Sequence, residues 1–212
     1  MTIRRTFLDK YLQKTIYFGS VLDVGGKAQN KRRGYSPNLD SVKSWEYLNL
    51  DKSSSPDYLM DVKDLGQINK SFDCILLCEV LEHVEFPEKL VDDCLSILNK
   101  GGLLVISMPF MYPFHPDPTD YQRWSIQKID KVLEHKKVSY EVKNMGGLFS
   151  VIHDLVHFTL YNNLPMSDIS SLIYRSFAKI IISGLKFLSV LDRFVFSKQK
   201  NVTTGFFIKI YK

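Results

Sequence analysis

Between residues 20 and 108, the sequence alternates short apolar runs with polar or amphipathic stretches, and this alternation constrains the fold more than any other feature. This alternation is typical of βαβ units, in which helices join parallel strands. The run at 74–77 is apolar at every position, as expected for a central strand that is covered on both faces. The predicted strands here are 21–24, 47–50, 58–60, 72–77 and 103–108. The sequence therefore predicts an α/β fold around a parallel sheet.

Helical spacing of apolar residues predicts two helices in this part of the chain and shortly after it. One begins at Pro87, because proline suits a first helical turn, and its apolar positions continue to Leu98. Gly101 and Gly102 are expected to end this helix before the next strand. The other helix begins after Ser125, which we predict as its N-cap.

The C-terminal part combines two strand-like segments with a long apolar interval. Residues 138–142 and 206–211 alternate as strands do, whereas 146–200 is rich in Leu, Ile, Phe and Tyr and is too apolar for a loop. We interpret 146–200 as a helical insertion or cap within a single domain that spans 1–212.

Basic residues recur through 175–193 at spacings of 4, 7 and 7, so that a continuous helix would carry them on one side. They are Arg175, Lys179, Lys186 and Arg193. Three interpretations are open. The segment is a cap on the sheet, a homodimer contact, or a peripheral contact with an anionic membrane surface.

The bulk composition limits the compartment and the class of partner. With 45% hydrophobic and 24% charged residues the chain is an ordinary globular protein, and its three cysteines lack metal-ligand spacing. We therefore expect reduced thiols and a cytoplasmic location, or one at the inner membrane face if 175–193 binds lipid. Neither a secretory signal nor a transmembrane run is expected. Because the net charge of +5 is modest and its basic residues are dispersed, we expect no nucleic-acid partner.

The first motif that indicates chemistry is a strand followed by glycines at 21–26. Gly25 and Gly26 allow the backbone to approach a ligand closely. Asp23 would repel a pyrophosphate but suits a positive group, such as the ammonium of a methionine moiety. The alternative is a strand–glycine turn with a structural role alone.

Acidic residues also follow the second and third predicted strands. Asp51 is placed to accept hydrogen bonds from the hydroxyls of a ribose, and Asp61, with Val62 after it, from an adenine amino group. For each carboxylate, the alternative is a solvated turn residue.

Two longer segments complete the pattern. Residues 72–84 read Phe-Asp-Cys-Ile-Leu-Leu-Cys-Glu-Val-Leu-Glu-His-Val, and 108–125 contain Pro-Phe-Met-Tyr-Pro-Phe-His-Pro-Asp-Pro-Thr-Asp-Tyr-Gln-Arg. With the earlier motifs in the same order, roughly the first two thirds of the chain resembles class I S-adenosylmethionine-dependent methyltransferases. The second segment resembles a subgroup that accompanies glycan and surface-polysaccharide biosynthesis in bacteria.

The resemblance implies a Rossmann-like fold with a mostly parallel seven-stranded sheet. It implies S-adenosylmethionine as cofactor and methyl transfer to a saccharide or other small molecule, at oxygen. It assigns Asp23, Gly25 and Gly26 to the methionine part, Asp51 to the ribose, Asp61 and Val62 to the adenine, and Cys78 and Glu79 to the wall beside the sulfonium. One departure is Lys27, which stands where the family usually has the last glycine of its first motif.

Two histidines are candidates to act on the acceptor. His115 is the candidate general base or acceptor-orienting residue, with the alternative that it locks a proline-rich loop. His83 follows the fourth predicted strand and would face the same cleft, or else packs at the start of a helix. The polar and aromatic residues near His115 that are candidates to bind the acceptor are Tyr112, Asp120, Tyr121 and Arg123.

His153 and His157 stand four residues apart, a spacing that zinc peptidases use, but no third ligand is evident and we expect no metal site there. For the whole chain, the alternative to an enzyme is a non-catalytic module of the same fold that binds the cofactor or a partner. A nicotinamide-dependent oxidoreductase is disfavoured by Asp23.

Overall fold

The computed structural model describes residues 1–27, 35–162, 169–195 and 201–212. Within these residues, seven strands form one sheet in the order β3-β2-β1-β4-β5-β7-β6. Strand β7 runs antiparallel to β5 and β6, and the other neighbouring strands pair in parallel. The strands are β1 Gly19–Val24, β2 Val42–Asn49, β3 Tyr58–Leu59, β4 Phe72–Cys78, β5 Leu98–Pro109, β6 Ser139–Asn144 and β7 Gly205–Tyr211. The predicted Rossmann-like fold with a mostly parallel sheet is confirmed.

Six α-helices accompany the sheet within the described ranges: α1 Ile3–Gln13, α2 Pro87–Ile97, α3 Ile126–His135, α4 Leu148–Asn162, α5 Ile169–Leu188 and α6 Asp192–Val195. Pro87 occupies the first turn of α2, as predicted. The hydroxyl of Ser125 accepts a hydrogen bond from the backbone N–H of Lys128, which confirms Ser125 as the N-cap of α3.

The predicted end of α2 is wrong. The helix ends at Ile97, and β5 begins at Leu98, which pairs with Phe72 of β4. Leu98 is buried and continues the helical spacing, but it is buried as part of the sheet. Gly101 and Gly102 therefore lie inside β5, at a shift in register between Leu98 and Leu103, and do not end the helix.

The start of β2 also lies earlier in the chain than predicted. The strand begins at Val42 and the prediction began at 47, because most of β2 is only half-buried and its first residues form no apolar run. In contrast, β4 is buried on both faces, as predicted. Ile75 and Leu77 pack in one hydrophobic cluster with α2 and α3, and Cys74 and Leu76 pack in another with α1. The three cysteines are buried free thiols.

Helices α4 to α6 lie between β6 and β7 along the chain. The Asp192 carboxylate accepts hydrogen bonds from the backbone N–H groups of Gly147, Phe149 and Ser150, and so caps the start of α4. Of the predicted insertion, 163–168 and 196–200 lie outside the described residues.

Residues 175–193 do not form one continuous helix. Helix α5 ends at Leu188, and a 3-10 turn leads to Asp192, where the chain turns back to cap α4. Helix α5 exposes several large apolar side chains, among them Phe177, Ile180 and Phe187. In the part of the chain that the structure describes, no helix is long and apolar enough to cross a membrane.

Candidate active site

A cavity of about 750 Å³ lies at the carboxyl ends of β1, β2 and β4. The chain proceeds from β1 to β2 and β3 on one side and then crosses to β4 on the other side of β1, so that the strand order reverses at this point. Ligands of open α/β sheets bind in the crevice at such a reversal. The predicted residues that line the cavity are Gly25, Asp51, Asp61, Val62, Cys78, Glu79, His83 and Tyr121.

The glycine loop after β1 forms one wall. Gly25 has a φ of +77°, which favours glycine, and a side chain there would meet Val80 at 3.0 Å. The side-chain amide of Asn49 donates a hydrogen bond to the Gly26 carbonyl at 2.9 Å and so fixes the loop. Sequence reasoning missed Asn49, because a polar residue at the end of a half-buried strand gives no distinct signal.

Asp23 lies beneath this loop and outside the cavity lining. It is buried, and a side chain at Gly26 would come within 2.6 Å of its carboxylate carbon. The structure therefore separates Gly25, which faces the cavity, from Asp23 and Gly26, which pack against each other behind it.

Asp51 stands at the rim of the cavity, just after β2. One of its oxygens accepts hydrogen bonds from the hydroxyl and the backbone N–H of Ser53, at 2.6 and 2.9 Å, and these bonds lower the pKa of Asp51. The other oxygen lies 3.6 Å from the ammonium of Lys27. Asp51 is thus ionised at neutral pH, and the unusual lysine of the glycine loop lies beside it.

Asp61 and Val62 occupy the next part of the wall. The Asp61 carboxylate accepts the backbone N–H of Lys63 at 3.0 Å and so caps the 3-10 helix Val62–Gln67. This cap directs the chain so that both residues line the cavity beside Asp51.

Glu79 follows β4 in the left-handed region, with a φ of +58°. Such a conformation is uncommon for glutamate and marks a position that its surroundings enforce. One oxygen accepts a hydrogen bond from the Ser107 hydroxyl at 2.8 Å, and the other pairs with the guanidinium of Arg4. Arg4 comes from α1 and lies 4.0 Å from the ring centre of Tyr112. Sequence reasoning missed Arg4, because no local pattern links the N-terminal helix to this site.

His83 and His115 lie against each other with ring centres 5.5 Å apart. His83 lines the cavity and His115 lies behind it. Burial lowers the pKa of His115, so that its ring is neutral at pH 7. Beneath both rings lies Glu82, which is fully buried, and burial raises the pKa of its carboxyl. Sequence reasoning did not single out Glu82, because its burial is a property of the folded chain.

The segment around His115 is tied together by Asp120. Its carboxylate pairs with the guanidinium of Arg123 and accepts the backbone N–H of His115 at 2.9 Å. The hydrogen bond from Arg123 holds the pKa of Asp120 at about 2. Tyr121 lines the cavity, and its backbone N–H donates to the Glu82 carbonyl at 2.8 Å. Tyr112, Asp120 and Arg123 lie outside the cavity lining.

The second histidine pair, His153 and His157, lies on α4 outside the cavity lining. His153 is buried, with its Nδ1 2.8 Å from the carboxylate of Asp154. Its ring stacks on that of His157 with centres 5.7 Å apart.

Comparison with known proteins gives one family and one curated relative. A family model described as a methyltransferase domain matches residues 3–143, which is more than half of the chain. A tRNA U34 carboxymethyltransferase of Campylobacter fetus subsp. fetus (strain 82-40) is 35% identical over 79 residues. That match covers 37% of this chain and 28% of the relative.

Solved structures with the same fold include proteins with different stated activities. An S-adenosylmethionine-dependent methyltransferase from Archaeoglobus fulgidus is similar with a TM-score of 0.56 and 14% identity, over 98% of this chain and 92% of that one. The plantazolicin methyltransferase BpumL has a TM-score of 0.52 and 13% identity, over 99% and 82%. The [4+2]-cyclase SpnF has a TM-score of 0.54 and 12% identity, over 99% and 80%. At these identities the likeness establishes the fold alone, since one of the three carries a cyclase's name.

Proposed function

Because this chain belongs to the family of methyltransferase domains, we propose that it transfers the methyl group of S-adenosylmethionine to an oxygen atom of a small-molecule or saccharide acceptor. The observation that carries the proposal is the convergence of Gly25, Asp51 and Glu79 on one cavity where the strand order reverses. A crevice at this position is where ligands of such sheets bind.

The residues around the cavity fit S-adenosylmethionine in size and charge. A volume of about 750 Å³ lies within the range of small-molecule sites, and the ionised Asp51 and Asp61 are acceptors for hydroxyl and amino groups. Because Gly25 has no side chain, its backbone is accessible from the cavity. A Cβ atom at this position would come too close to Val80. Glu79 adds a carboxylate near the position proposed for the sulfonium.

We assign the roles as follows. Gly25 holds the methionine part, and Gly26 and Asp23 pack behind it and fix the loop. Asp51 holds the ribose, Asp61 and Val62 the adenine, and Cys78 and Glu79 the wall beside the sulfonium. When bound, the cofactor supplies a methyl group that its positive sulfur has already activated.

The task of the chain is then to align the acceptor and keep water out. Alignment of two reactants can contribute about 7–11 kcal/mol to lowering the barrier. His83 and Tyr121 both line the cavity, and we assign them to contact with the acceptor hydroxyl. His115 supports His83 from behind, and Tyr112, Asp120 and Arg123 hold the segment in place. An imidazole at this position can orient the hydroxyl for attack on the methyl carbon.

Calorimetry tests the proposal first at the level of binding. The protein is titrated with S-adenosylmethionine, its demethylated product and NAD. We expect the first two to bind and NAD not to bind. Binding of NAD alone, or of none of the three, would contradict the proposal.

Turnover is then measured as release of the demethylated product with a panel of acceptors. The panel contains nucleotide sugars, free saccharides and, because of the curated relative, a tRNA. We expect a saccharide or other small molecule to be methylated at oxygen. Cofactor binding without turnover on any acceptor would favour the non-catalytic module, and turnover on tRNA alone would contradict the proposed acceptor class.

A further inference from the structure

Three side chains with metal-ligating atoms converge on one point beside the cavity. The Nε2 atoms of His83 and His115 lie 3.8 and 3.9 Å from the same carboxylate oxygen of Glu82. One ligand atom from each of the three residues lies within 4.8 Å of the other two. They come from the 3-10 turn after β4 and from the segment after β5, which fold against each other.

The hydrogen bonds of the two imidazole rings determine which ring nitrogen carries the hydrogen and which carries the lone pair. Nδ1 of His83 contacts the carbonyl oxygen of Thr119, and Nδ1 of His115 lies 2.9 Å from the carbonyl oxygen of Pro113. The Arg123 guanidinium, which only donates, lies farther from Nδ1 of His115, at 3.5 Å. A carbonyl oxygen only accepts, so the shorter contacts give each Nδ1 a hydrogen. In the neutral ring the lone pair is then on Nε2, which faces Glu82.

Glu82 adds a third acceptor to this point. Its side chain is fully buried, and no neighbouring side chain in the described part of the protein donates a hydrogen bond to either carboxylate oxygen. Burial of a carboxylate without such a partner is costly. Three acceptors that face one another without a donor require a proton or a cation between them.

The positive side chains around Glu82, His83 and His115 are already paired with other carboxylates. Two guanidiniums face the group, but each already has a carboxylate of its own: Arg4 pairs with Glu79, and Arg123 pairs with Asp120. Neither guanidinium donates a hydrogen bond to Glu82.

We propose that Glu82, His83 and His115 bind a divalent transition-metal ion. Two imidazoles and one carboxylate suit zinc, manganese or iron better than magnesium or calcium. Bond lengths of about 2.0–2.2 Å place neighbouring ligand atoms about 3.0–3.4 Å apart. The ligand atoms here lie within 4.8 Å of one another, so that the three side chains would close by up to about 1.8 Å. The backbone carbonyl behind each Nδ1 is the usual outer partner of a metal-bound histidine.

The position of the ion gives it a role that rests on the proposed function. Because His83 lines the cavity, an ion bound to it would lie at the edge of the cavity, next to the proposed acceptor. Coordination lowers the pKa of a bound hydroxyl. The hydroxyl proton then leaves to solvent, the oxygen electron pair forms the bond to the methyl carbon, and the carbon–sulfur bond breaks with its electrons on sulfur. In this arrangement the histidines hold the ion and do not take the proton themselves.

Metal binding is tested without cofactor or acceptor. Chelator-treated protein is titrated with Zn²⁺ and Mn²⁺ by calorimetry, and Co²⁺ is used as a spectroscopic probe of imidazole ligands. We expect one ion per chain, with at least 10-fold weaker binding in Glu82→Gln and in His115→Asn. The matched control is His157→Asn, which removes a histidine outside the cluster and should leave the affinity unchanged. Circular dichroism establishes that each variant is folded.

The outcomes separate this proposal from the proposed function. If wild-type protein takes up no stoichiometric ion, or if Glu82→Gln and His115→Asn bind it as wild type does, the metal site is overturned and Glu82 shares a proton instead. If the ion binds but no acceptor is methylated, the site stands and the proposed function fails. If turnover is the same in chelated and in metal-loaded protein, the role of the ion in activating the acceptor is overturned.

Discussion

The carboxylate of Asp154 accepts a hydrogen bond from the backbone N–H of Arg4 at 2.9 Å, across 150 residues of chain. Its other oxygen accepts the N–H of Ile3 at 2.7 Å. Asp154 on α4 therefore caps the first turn of α1, where the N–H groups have no partner within the helix. The same contact fixes the helix that carries the Arg4 side chain to Glu79.

Replacement of Asp154 by alanine should destabilise the protein by about 1–3 kcal/mol, because two buried N–H groups lose a charged acceptor. The measurement is the free energy of unfolding from urea denaturation. Thr159→Ala, at an exposed position of the same helix, is the control and should change the free energy of unfolding by less than about 0.5 kcal/mol. Equal effects of the two substitutions would show that the cap contributes nothing.

Gly19→Ala should be strongly destabilising, by about 2 kcal/mol or more. Gly19 has a φ of +60°, which costs other residues about 1–2 kcal/mol, and an added Cβ would lie 1.9 Å from a carboxylate oxygen of Asp73. Gly184→Ala is the matched comparison, because Gly184 lies in α5 with open space around it. Alanine there should stabilise the protein by up to about 1 kcal/mol. Thermal unfolding of both variants checks the opposite signs.

The hydrogen bonds of Asp73 make the stability of the protein depend on pH. Its carboxylate accepts hydrogen bonds from the backbone N–H of Ser20 at 2.9 Å and from the side-chain amide of Asn99 at 2.8 Å, and these lower its pKa in the folded protein. A carboxyl with a lowered folded pKa stabilises the fold above its unfolded pKa of about 3.9. This contribution is lost as the pH falls through the folded value.

Asp73→Asn should therefore be less stable than wild type at pH 7, and the difference should shrink below about pH 4. Urea midpoints at pH 7 and pH 3 measure it. Asp40→Asn, at an exposed site before β2, is the control and should unfold at pH 7 at the same urea concentration as wild type. A constant difference at both pH values would mean that the ionised form of Asp73 is not the stabilising one.

Asp51→Asn should weaken binding of S-adenosylmethionine at least about 10-fold, since a carboxylate is a stronger hydrogen-bond acceptor than a neutral amide. Asp51 and Asp40 flank β2 at opposite ends, and only Asp51 lines the cavity. Asp40→Asn should thus bind the cofactor as wild type does. Calorimetry of both variants gives the ratio, and equal affinities would remove Asp51 from the proposed ribose contact.

What the sequence predicts well is local. The strand β4 and the position of Glu79 at its end follow from one apolar run and the residue after it. Asp51 was likewise found because carboxylates at strand ends meet at one edge of a parallel sheet. The placement of Arg4, by contrast, depends on a cap from Asp154, which no local pattern encodes. The burial of Glu82 is of the same kind, because it results from packing between two distant segments.

The pairing of Arg4 with Glu79 can be measured as a coupling energy. The two side chains are only 10% and 21% exposed, so that removal of either partner leaves a poorly solvated charge. We expect Arg4→Met and Glu79→Gln each to cost about 2–3 kcal/mol in unfolding free energy. The loss of unfolding free energy in the double variant should be smaller than the sum of the two single losses, by about 1–3 kcal/mol, because the double variant leaves neither charge without its partner.

A second double-mutant cycle, on an exposed ion pair, provides a reference value for this coupling energy. Lys128 and Glu88 form an ion pair between α3 and α2 whose side chains are 44% and 42% exposed. Exposed pairs contribute about 0–1 kcal/mol, since water and salt screen them. Lys128→Met and Glu88→Gln should therefore be nearly additive. If the Arg4–Glu79 cycle is equally additive, the two charges do not stabilise each other, and Glu79 must be held in its left-handed conformation by Ser107 and the strand end alone.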